Sequence, residues 1–314
     1  MRALVTGGAG FIGRWLVKQL LDDGHQVWIL DNLANGRREN VREFEGHPGL
    51  RELVIGDIQD GSLLDELFEN RFDVCYHLAA TINVQDSIDD PRTTFLNDVV
   101  GTFEVLERCR DARTKMVFMS TCMVYDRATG PEGISETHAV KPASPYAGSK
   151  IAAENLVLSY FNAYGLPVVV VRPFNTYGPF QKSGGEGGVV AIFIKNKLTG
   201  QPLRIYGDGT QTRDLLYVED CARFVAMAGY SDVVNGEIIN AGLGRDISIN
   251  DLAMLVAQDA TRIQHVKHIH PQSEIMKLLC NADKAKRLLG WEPRVTLEEG
   301  LARTEAWIRE TPWA

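Results

Sequence analysis

The run Thr6-Gly7-Gly8-Ala9-Gly10-Phe11-Ile12-Gly13 constrains the fold of this chain more tightly than any other stretch of it. A short apolar segment, Arg2 to Thr6, precedes it. After it, Ile12, Leu16, Leu20 and Leu21 recur at helical spacing through Phe11 to Leu21. Strand, tight turn and helix are therefore expected in direct succession. The glycines satisfy both Gly8-x-Gly10-x-x-Gly13 and Gly7-x-x-Gly10-x-x-Gly13. In that context they permit a tight turn and close approach of a pyrophosphate, while the helix N-terminus faces the anion. A dinucleotide-binding turn also calls for an acid about 20 residues further on, to hold ribose hydroxyls. Asp31 ends the second apolar run at that place. Its charge repels a 2′-phosphate, which favours NAD over NADP, although Arg37 and Arg38 in the following loop offer cations to such a phosphate.

The same alternation continues. Val27 to Leu30, Leu53 to Ile55, Val74 to Leu78, Met116 to Met119 and Val168 to Val171 are short, nearly all-apolar runs, as strands covered on both faces should be. Helical patterns separate them, among them Phe95, Val99, Val100, Phe103, Val105 and Leu106, and the stretch from about Tyr146 through Ala152 to Tyr160. The expected fold is α/β, a doubly wound parallel Rossmann sheet. After Arg172-Pro173 the elements shorten, so residues 1–173 are expected to form the cofactor domain. Residues 174–314 are expected to form mainly a smaller α/β substrate lobe, with some segments returning to the first domain. Gly184-Gly185-Glu186-Gly187-Gly188 lacks the Gly-Lys-Ser/Thr ending of a phosphate loop and is read as a hinge or lid.

Composition narrows the partners. At 314 residues with 45% hydrophobic and 24% charged, the chain has ample apolar area for a core. A net charge of -8 argues against nucleic acid, whose binders concentrate Lys and Arg. No apolar stretch approaches the roughly 18 to 20 residues of a membrane helix, and the glycine run begins too early to leave room for a signal peptide. Cys75, Cys109, Cys122, Cys221 and Cys280 are scattered, odd in number and without CxxC spacing. They read as reduced thiols of a cytoplasmic protein, with no zinc site. His265, His268 and His270 alternate with apolar residues and are read as an exposed strand face rather than a metal site.

Tyr146-Ala147-Gly148-Ser149-Lys150 sets a phenol and an ammonium four residues apart, on one helix face. A cation beside a phenol favours the phenolate and suits it to general base work. With these residues in view, the chain resembles the extended short-chain dehydrogenase/reductases of the nucleotide-sugar epimerase and dehydratase branch. The matching pieces include the glycine run, Gly56-Asp57-Ile58, His77-Leu78-Ala79-Ala80, Asn97 with Gly101-Thr102, Ser120-Thr121 with Val124-Tyr125, and Tyr146 with Lys150. Further matches are Arg172-Pro173-Phe174-Asn175-Thr176-Tyr177-Gly178-Pro179, Tyr206-Gly207-Asp208-Gly209, Arg213-Asp214 and Leu289-Gly290-Trp291.

The resemblance implies an NAD-dependent enzyme that transiently oxidises C4 of a nucleotide-diphosphate sugar, a UDP-sugar being favoured. Gly7, Gly10, Phe11, Ile12, Gly13, Asp31, Asn32, Asp57, Ile58, Leu78, Ala79, Ala80, Asn97 and Lys150 are implied to hold NAD. Lys150 would also lower the Tyr146 pKa, and Thr121 would share a hydrogen bond with the sugar hydroxyl. Thr121, Met123, Asn175 and Arg213 are implied substrate contacts, with Asn175 and Arg213 near the diphosphate. Relatives dimerise through helices matching Phe95–Leu106 and Ala152–Tyr160, so a homodimer is expected by analogy.

The outcome after C4 oxidation turns on the residues after Thr121. Dehydratases of this family carry an Asp-Glu pair there, where this chain has Cys122 and Met123. Met123 has no transferable proton, which favours a 4-epimerase of a UDP-hexose or UDP-N-acetylhexosamine. The alternative is a 4,6- or 5,6-elimination, or action on a 5,6-unsaturated sugar, with Cys122 as acid or base. A dinucleotide-sensing protein without catalysis is the remote reading. Two departures affect substrate pose: Pro271-Gln272-Ser273-Glu274 stands where relatives often have an arginine, and Asp126 replaces a glycine.

Overall fold

In a computed structural model, the described residues are 1–183, 188–268 and 271–311. The expected lid at 184–188 lies, except for Gly188, outside them, as does His270.

The first half alternates strands and helices: β1 (Arg2–Thr6), α1 (Phe11–Asp22), β2 (Gln26–Asp31), β3 (Leu50–Ile55), α2 (Gly61–Phe68), β4 (Val74–His77), α3 (Val84–Asp89), α4 (Pro91–Phe95), α5 (Thr102–Ala112), β5 (Lys115–Met119), α6 (Pro145–Tyr164) and β6 (Val168–Pro173). The second half holds β7 (Asn175–Tyr177), α7 (Val189–Leu198), β8 (Leu203–Tyr206), β9 (Thr212–Tyr217), α8 (Val218–Tyr230), β10 (Ile238–Ala241), β11 (Asp246–Ser248), α9 (Ile249–Ala257), β12 (Ile263–Val266), β13 (Lys277–Leu278), α10 (Asp283–Leu289) and α11 (Leu297–Glu310).

Seven strands form one parallel sheet in the order β10-β6-β5-β4-β1-β2-β3, so the chain reverses its direction of travel at β1 and β4. In such a sheet the ligand crevice opens beyond the carboxyl ends of the strands at that reversal. One face is covered by α1 and α8, with Leu16, Val17, Phe224 and Trp291 in its core; α2, α5 and α6 cover the other around Leu64, Leu106 and Val157. Strands β1, β4, β5 and β6 are buried nearly throughout, which accounts for their unbroken apolar runs. Strand β3 departs from that expectation. As the sheet edge it leaves Arg51, Glu52 and Ile55 exposed.

Three segments from the second half join this sheet's layers: β10 pairs with β6, α8 packs against α1, and α10 with the following Trp291 packs beside β10 and α8. A separate core is built from α7, α9, α11, β8 and β9. Strand β12 ends at Val266, so the expected histidine alternation covers only His265, which bonds Asn250, whereas His268 lies beyond the strand against Glu274. No metal-holding cluster of His, Cys, Asp or Glu occurs among the described residues, nor is any described helix long and apolar enough to cross a membrane.

The helical run after β4 also differs from its sequence pattern. A π-helical segment, Leu96–Gly101, joins α4 to α5. It turns Thr94, Asp98, Thr102, Val105 and Leu106 inward and leaves Phe95, Leu96 and Phe103 exposed. Two of the six apolar positions that marked this helix, Phe95 and Phe103, therefore face outward.

Candidate active site

The crevice beyond β1 and β4 is a cavity of about 1160 Å³. Its floor is the glycine turn. Gly7 has φ +71°, and a Cβ there would stand 2.8 Å from the Ala79 nitrogen, so only glycine lets the turns after β1 and β4 approach so closely. A Cβ on Gly13 would come within 2.1 Å of the Gly7 carbonyl oxygen. No side chain caps the N-terminus of α1, whose first residues line the cavity, leaving its amides and dipole to an anion. Asp31 is buried at the end of β2. Its two carboxylate oxygens accept from the amides of Ala9 (2.9 Å) and Leu33 (2.8 Å), and burial holds its pKa above the usual carboxylate value. Asn32 Nδ2 donates to Asp57 Oδ2 at 2.9 Å, tying the turns after β2 and β3 together. These residues fit a dinucleotide: a glycine cradle, an uncapped helix and an oriented carboxylate share one wall.

The opposite wall comes from β5 and α6. Tyr146, Lys150 and Glu154 follow one another at successive helical turns and are all buried. Lys150 Nζ donates to the Met119 carbonyl at 3.2 Å and lies over the Phe118 ring. Burial lowers the Lys150 pKa, opposed by Asp98 and Glu154. Tyr146 is pushed upward by burial and by Asp98, while a hydrogen bond with Thr121 acts the other way. Thr121 caps the short 3₁₀ turn Cys122–Val124, accepting from the Met123 amide at 3.2 Å. The Cys122 thiol, buried in the same wall, is pushed up to about 12 by desolvation.

At the far end, Asn175 Oδ1 is buried with no hydrogen-bond partner among the described residues. Arg213 donates to the carbonyls of Thr212 and Ile275, each at 2.8 Å, and its guanidinium pairs with Glu274. The stretch in which relatives often carry an arginine therefore supplies a carboxylate here. Asp126 turns away from the cavity toward the Arg127 amide (2.8 Å) and Lys141 (3.6 Å).

Every residue singled out as a cofactor, catalytic or substrate contact lines this one cavity. Sequence reasoning missed several others. Ser120 Oγ lines the wall without a partner among the described residues. Phe180 and Trp307 meet at 4.9 Å over the cavity, and Lys182 reaches across to Asn35 at 3.1 Å. Asp98 was passed over in favour of its neighbour Asn97. Asn97 Nδ2 donates to Thr81 Oγ1 (3.2 Å) and Asp98 Oδ1 (3.1 Å), whereas Asp98 itself faces Lys150 at 4.0 Å. A lone acid on the inward face of an apolar helix was the available signal.

The model of the NAD dependent epimerase/dehydratase family matches residues 3–242. A UDP-glucose 4-epimerase of Mycolicibacterium smegmatis is 39% identical over 312 residues, covering 98% of this chain and 99% of its own. Among solved structures, Pal from Bacillus thuringiensis is 68% identical with a TM-score of 0.97 over 99% of both chains. DesIV, a dTDP-glucose 4,6-dehydratase from Streptomyces venezuelae solved with NAD bound, is 33% identical with a TM-score of 0.92, over 99% of this chain and 98% of that one.

Proposed function

The chain belongs to the NAD-dependent epimerase/dehydratase family, and we propose that within it the protein is a 4-epimerase of a UDP-hexose or UDP-N-acetylhexosamine. It is an NAD-dependent enzyme with a nucleotide sugar as its substrate. The reading rests on one observation above the rest: Tyr146, Thr121 and Lys150 converge in a cavity that Asn175 and Arg213 line as well.

NAD, when bound, supplies the acceptor for the C4 hydride and the means of returning it. The chain handles the proton. Tyr146 takes the hydroxyl proton as C4 becomes a ketone, and the Lys150 ammonium stabilises the phenolate. Thr121 holds the same sugar oxygen. Once the ketone has turned its other face, Tyr146 gives the proton back, so the C–H and O–H bonds broken are both re-formed and no mass is lost. In this reading Gly7, Gly10, Phe11, Ile12 and Gly13 cradle the pyrophosphate. Asp31 and Asn32 hold the adenosine ribose, Asp57 and Ile58 flank the adenine, and Leu78, Ala79, Ala80 and Asn97 line the cofactor's path. Asn175 and Arg213 receive the substrate diphosphate, and Met123 borders the sugar.

We assign residues 1–173 to the cofactor half and 174–314 mainly to the substrate half, with β10, α8 and α10 returning. A homodimer through α4, α5 and α6 accounts for the exposure of Phe95, Phe103 and Tyr164. Five free cysteines suit a reducing, cytoplasmic setting.

Cys122 supports a second reading. A buried thiol held in its protonated form at the cavity wall could donate a proton to a leaving C6 oxygen but would not take the C5 proton, so it supplies one half of the acid–base work at C5 and C6. Incubation in D₂O with UDP-glucose, UDP-N-acetylglucosamine, UDP-glucuronate and dTDP- and GDP-hexoses, together with 5,6-unsaturated UDP-sugars, separates the two. Unchanged mass, inverted C4 coupling and no deuterium at C5 support the 4-epimerase; water loss or C5 deuteration transfers the assignment to the second reading.

A further inference from the structure

The Asp98 carboxylate is the unexplained group of the site. It sits in the π-helical segment Leu96–Gly101, an irregularity that turns it inward from a helix whose flanking Phe95 and Leu96 face out. π-Turns within helices occur frequently at functional sites. Its side chain has no exposed surface. Oδ1 accepts from the Thr81 amide at 2.6 Å and from Asn97 Nδ2 at 3.1 Å, which fixes the carboxylate plane. Oδ2 is buried with no hydrogen bond and lies 4.0 Å from Lys150 Nζ. A buried carboxylate is costly unless a charge offsets it. Among the described groups, Lys150 is the cation beside it.

We propose that Asp98 is a positioning residue of the redox site, a fixed counter-charge that holds the Lys150 ammonium in place and keeps Tyr146 protonated in the resting enzyme. This rests on the assignment of Tyr146 as the proton acceptor. Without Asp98, the ammonium would act undiminished on the phenol. With it, Lys150 and Asp98 together carry no net charge, and the positive nicotinamide of NAD+ supplies the remaining pull on the Tyr146 proton. Proton transfer is thereby tied to the presence of oxidised cofactor.

The other ionisable groups around this pair do not duplicate the effect. Glu154 on α6 is committed to Arg172 of β6. His77 on β4 is neutral, bonded to Thr6 and Thr102. Cys122 beside Tyr146 is held as a thiol. Asp98 is thus the carboxylate facing both Lys150 and Tyr146 without a further cation of its own.

The test is a tyrosinate ultraviolet titration of the NAD-saturated protein, with the Tyr146 band isolated by subtracting Tyr146→Phe in each background. Asp98→Asn keeps the shape and the acceptor for the Thr81 amide but removes the charge. The Tyr146 band should then titrate about one pH unit lower than in the parent. Asp98→Ser, which also removes the charge, should shift it in the same direction. Coincident titrations in parent and variants overturn the proposal, and so does failure of both variants to fold, which would make Asp98 structural. No sugar is needed for the measurement. A shifted band with a silent substrate panel would therefore sink the sugar assignment and leave this role standing, whereas active turnover with coincident bands would do the reverse.

Discussion

Glu274 closes an ion pair with Arg213 at the wall of the substrate cavity and also accepts from His268 Nε2 at 2.8 Å. The carboxylate orients the guanidinium and at the same time offsets its charge. If Arg213 receives the substrate diphosphate, Arg213→Ala should raise KM at least tenfold, the loss expected for hydrogen bonds to a charged group, about 1.5–3 kcal/mol. Glu274→Gln keeps an acceptor for the guanidinium but removes the offsetting charge, and should lower KM by about fivefold, ~1 kcal/mol. Steady-state kinetics with kcat unchanged in both would match; opposite signs would remove Arg213 from the diphosphate site.

Tyr146→Phe should leave NAD binding and thermal stability close to the parent, and Lys150→Met should leave the chain folded but less stable, because Asp98 loses its counter-charge; each should reduce kcat by about 10²- to 10⁴-fold, the range of a lost acid–base group. The hydroxyl removed from Tyr146 contributes a hydrogen bond to Thr121 but little apolar packing, so the fold should survive. Single-turnover reduction of NAD, followed by absorbance, checks the step directly. Near-normal reduction in either variant would move the proton acceptor elsewhere.

Cys122→Ala distinguishes the two readings of the outcome. A 4-epimerase should keep turnover within about threefold, because the thiol then only packs, and stability should fall by about 1 kcal/mol for the lost buried atom. A C5–C6 enzyme should lose both turnover and C5 deuterium incorporation. Cys122→Ser with restored activity would further mark a proton donor.

The parallel sheet and the cofactor wall were legible in the sequence because they depend on local rules. Glycines at Gly7 and Gly13 answer to backbone contacts that no other residue allows, and a buried parallel strand must read as an apolar run. Tyr146 and Lys150 were legible through helical spacing. The π-helical segment at Leu96–Gly101 was not, because it changes which side chains face inward without altering the apolar count. Phe95 and Phe103 therefore read as members of one continuous apolar helix pattern, and Asn97 stood in for Asp98. The Arg213–Glu274 contact spans 61 residues in sequence, and nothing local in either residue announces it.

Helix α6 carries the Tyr146–Lys150 pair, and its next inward residue, Glu154, anchors it to β6. Arg172 Nε and Nη2 meet the two Glu154 oxygens at 2.8 and 2.5 Å, and the guanidinium lies over the Tyr125 ring, 4.6 Å away. Both side chains are 3% exposed. Glu154→Gln leaves the guanidinium charge buried without its counter-charge and should cost about 3–5 kcal/mol. Denaturant titration reads that loss. A simultaneous fall in kcat at full NAD saturation would show that the anchor also holds the registry of Tyr146.

His77, at the end of β4, makes acid sensitivity a property of the cofactor wall. Nδ1 lies 2.8 Å from Thr6 Oγ1 and Nε2 3.0 Å from Thr102 Oγ1, so the ring ties β1 to α5 beneath the glycine turn. Burial, aided by Lys150, pushes its pKa down to about 3. The folded state therefore holds a neutral ring where the unfolded chain takes up a proton below about 6.5. Because the unfolded state binds more protons across that window, stability falls as the pH drops from about 6.5 toward 3, by a few kcal/mol in total. Above about 6.5 both states are neutral and the slope from this residue vanishes. His77→Gln, which retains a donor and an acceptor but does not titrate, should flatten the acid limb of the denaturation midpoint measured against pH. It should also leave the midpoint near pH 8 only modestly lower. Parallel limbs in parent and variant would show that carboxylates, not His77, set the acid sensitivity.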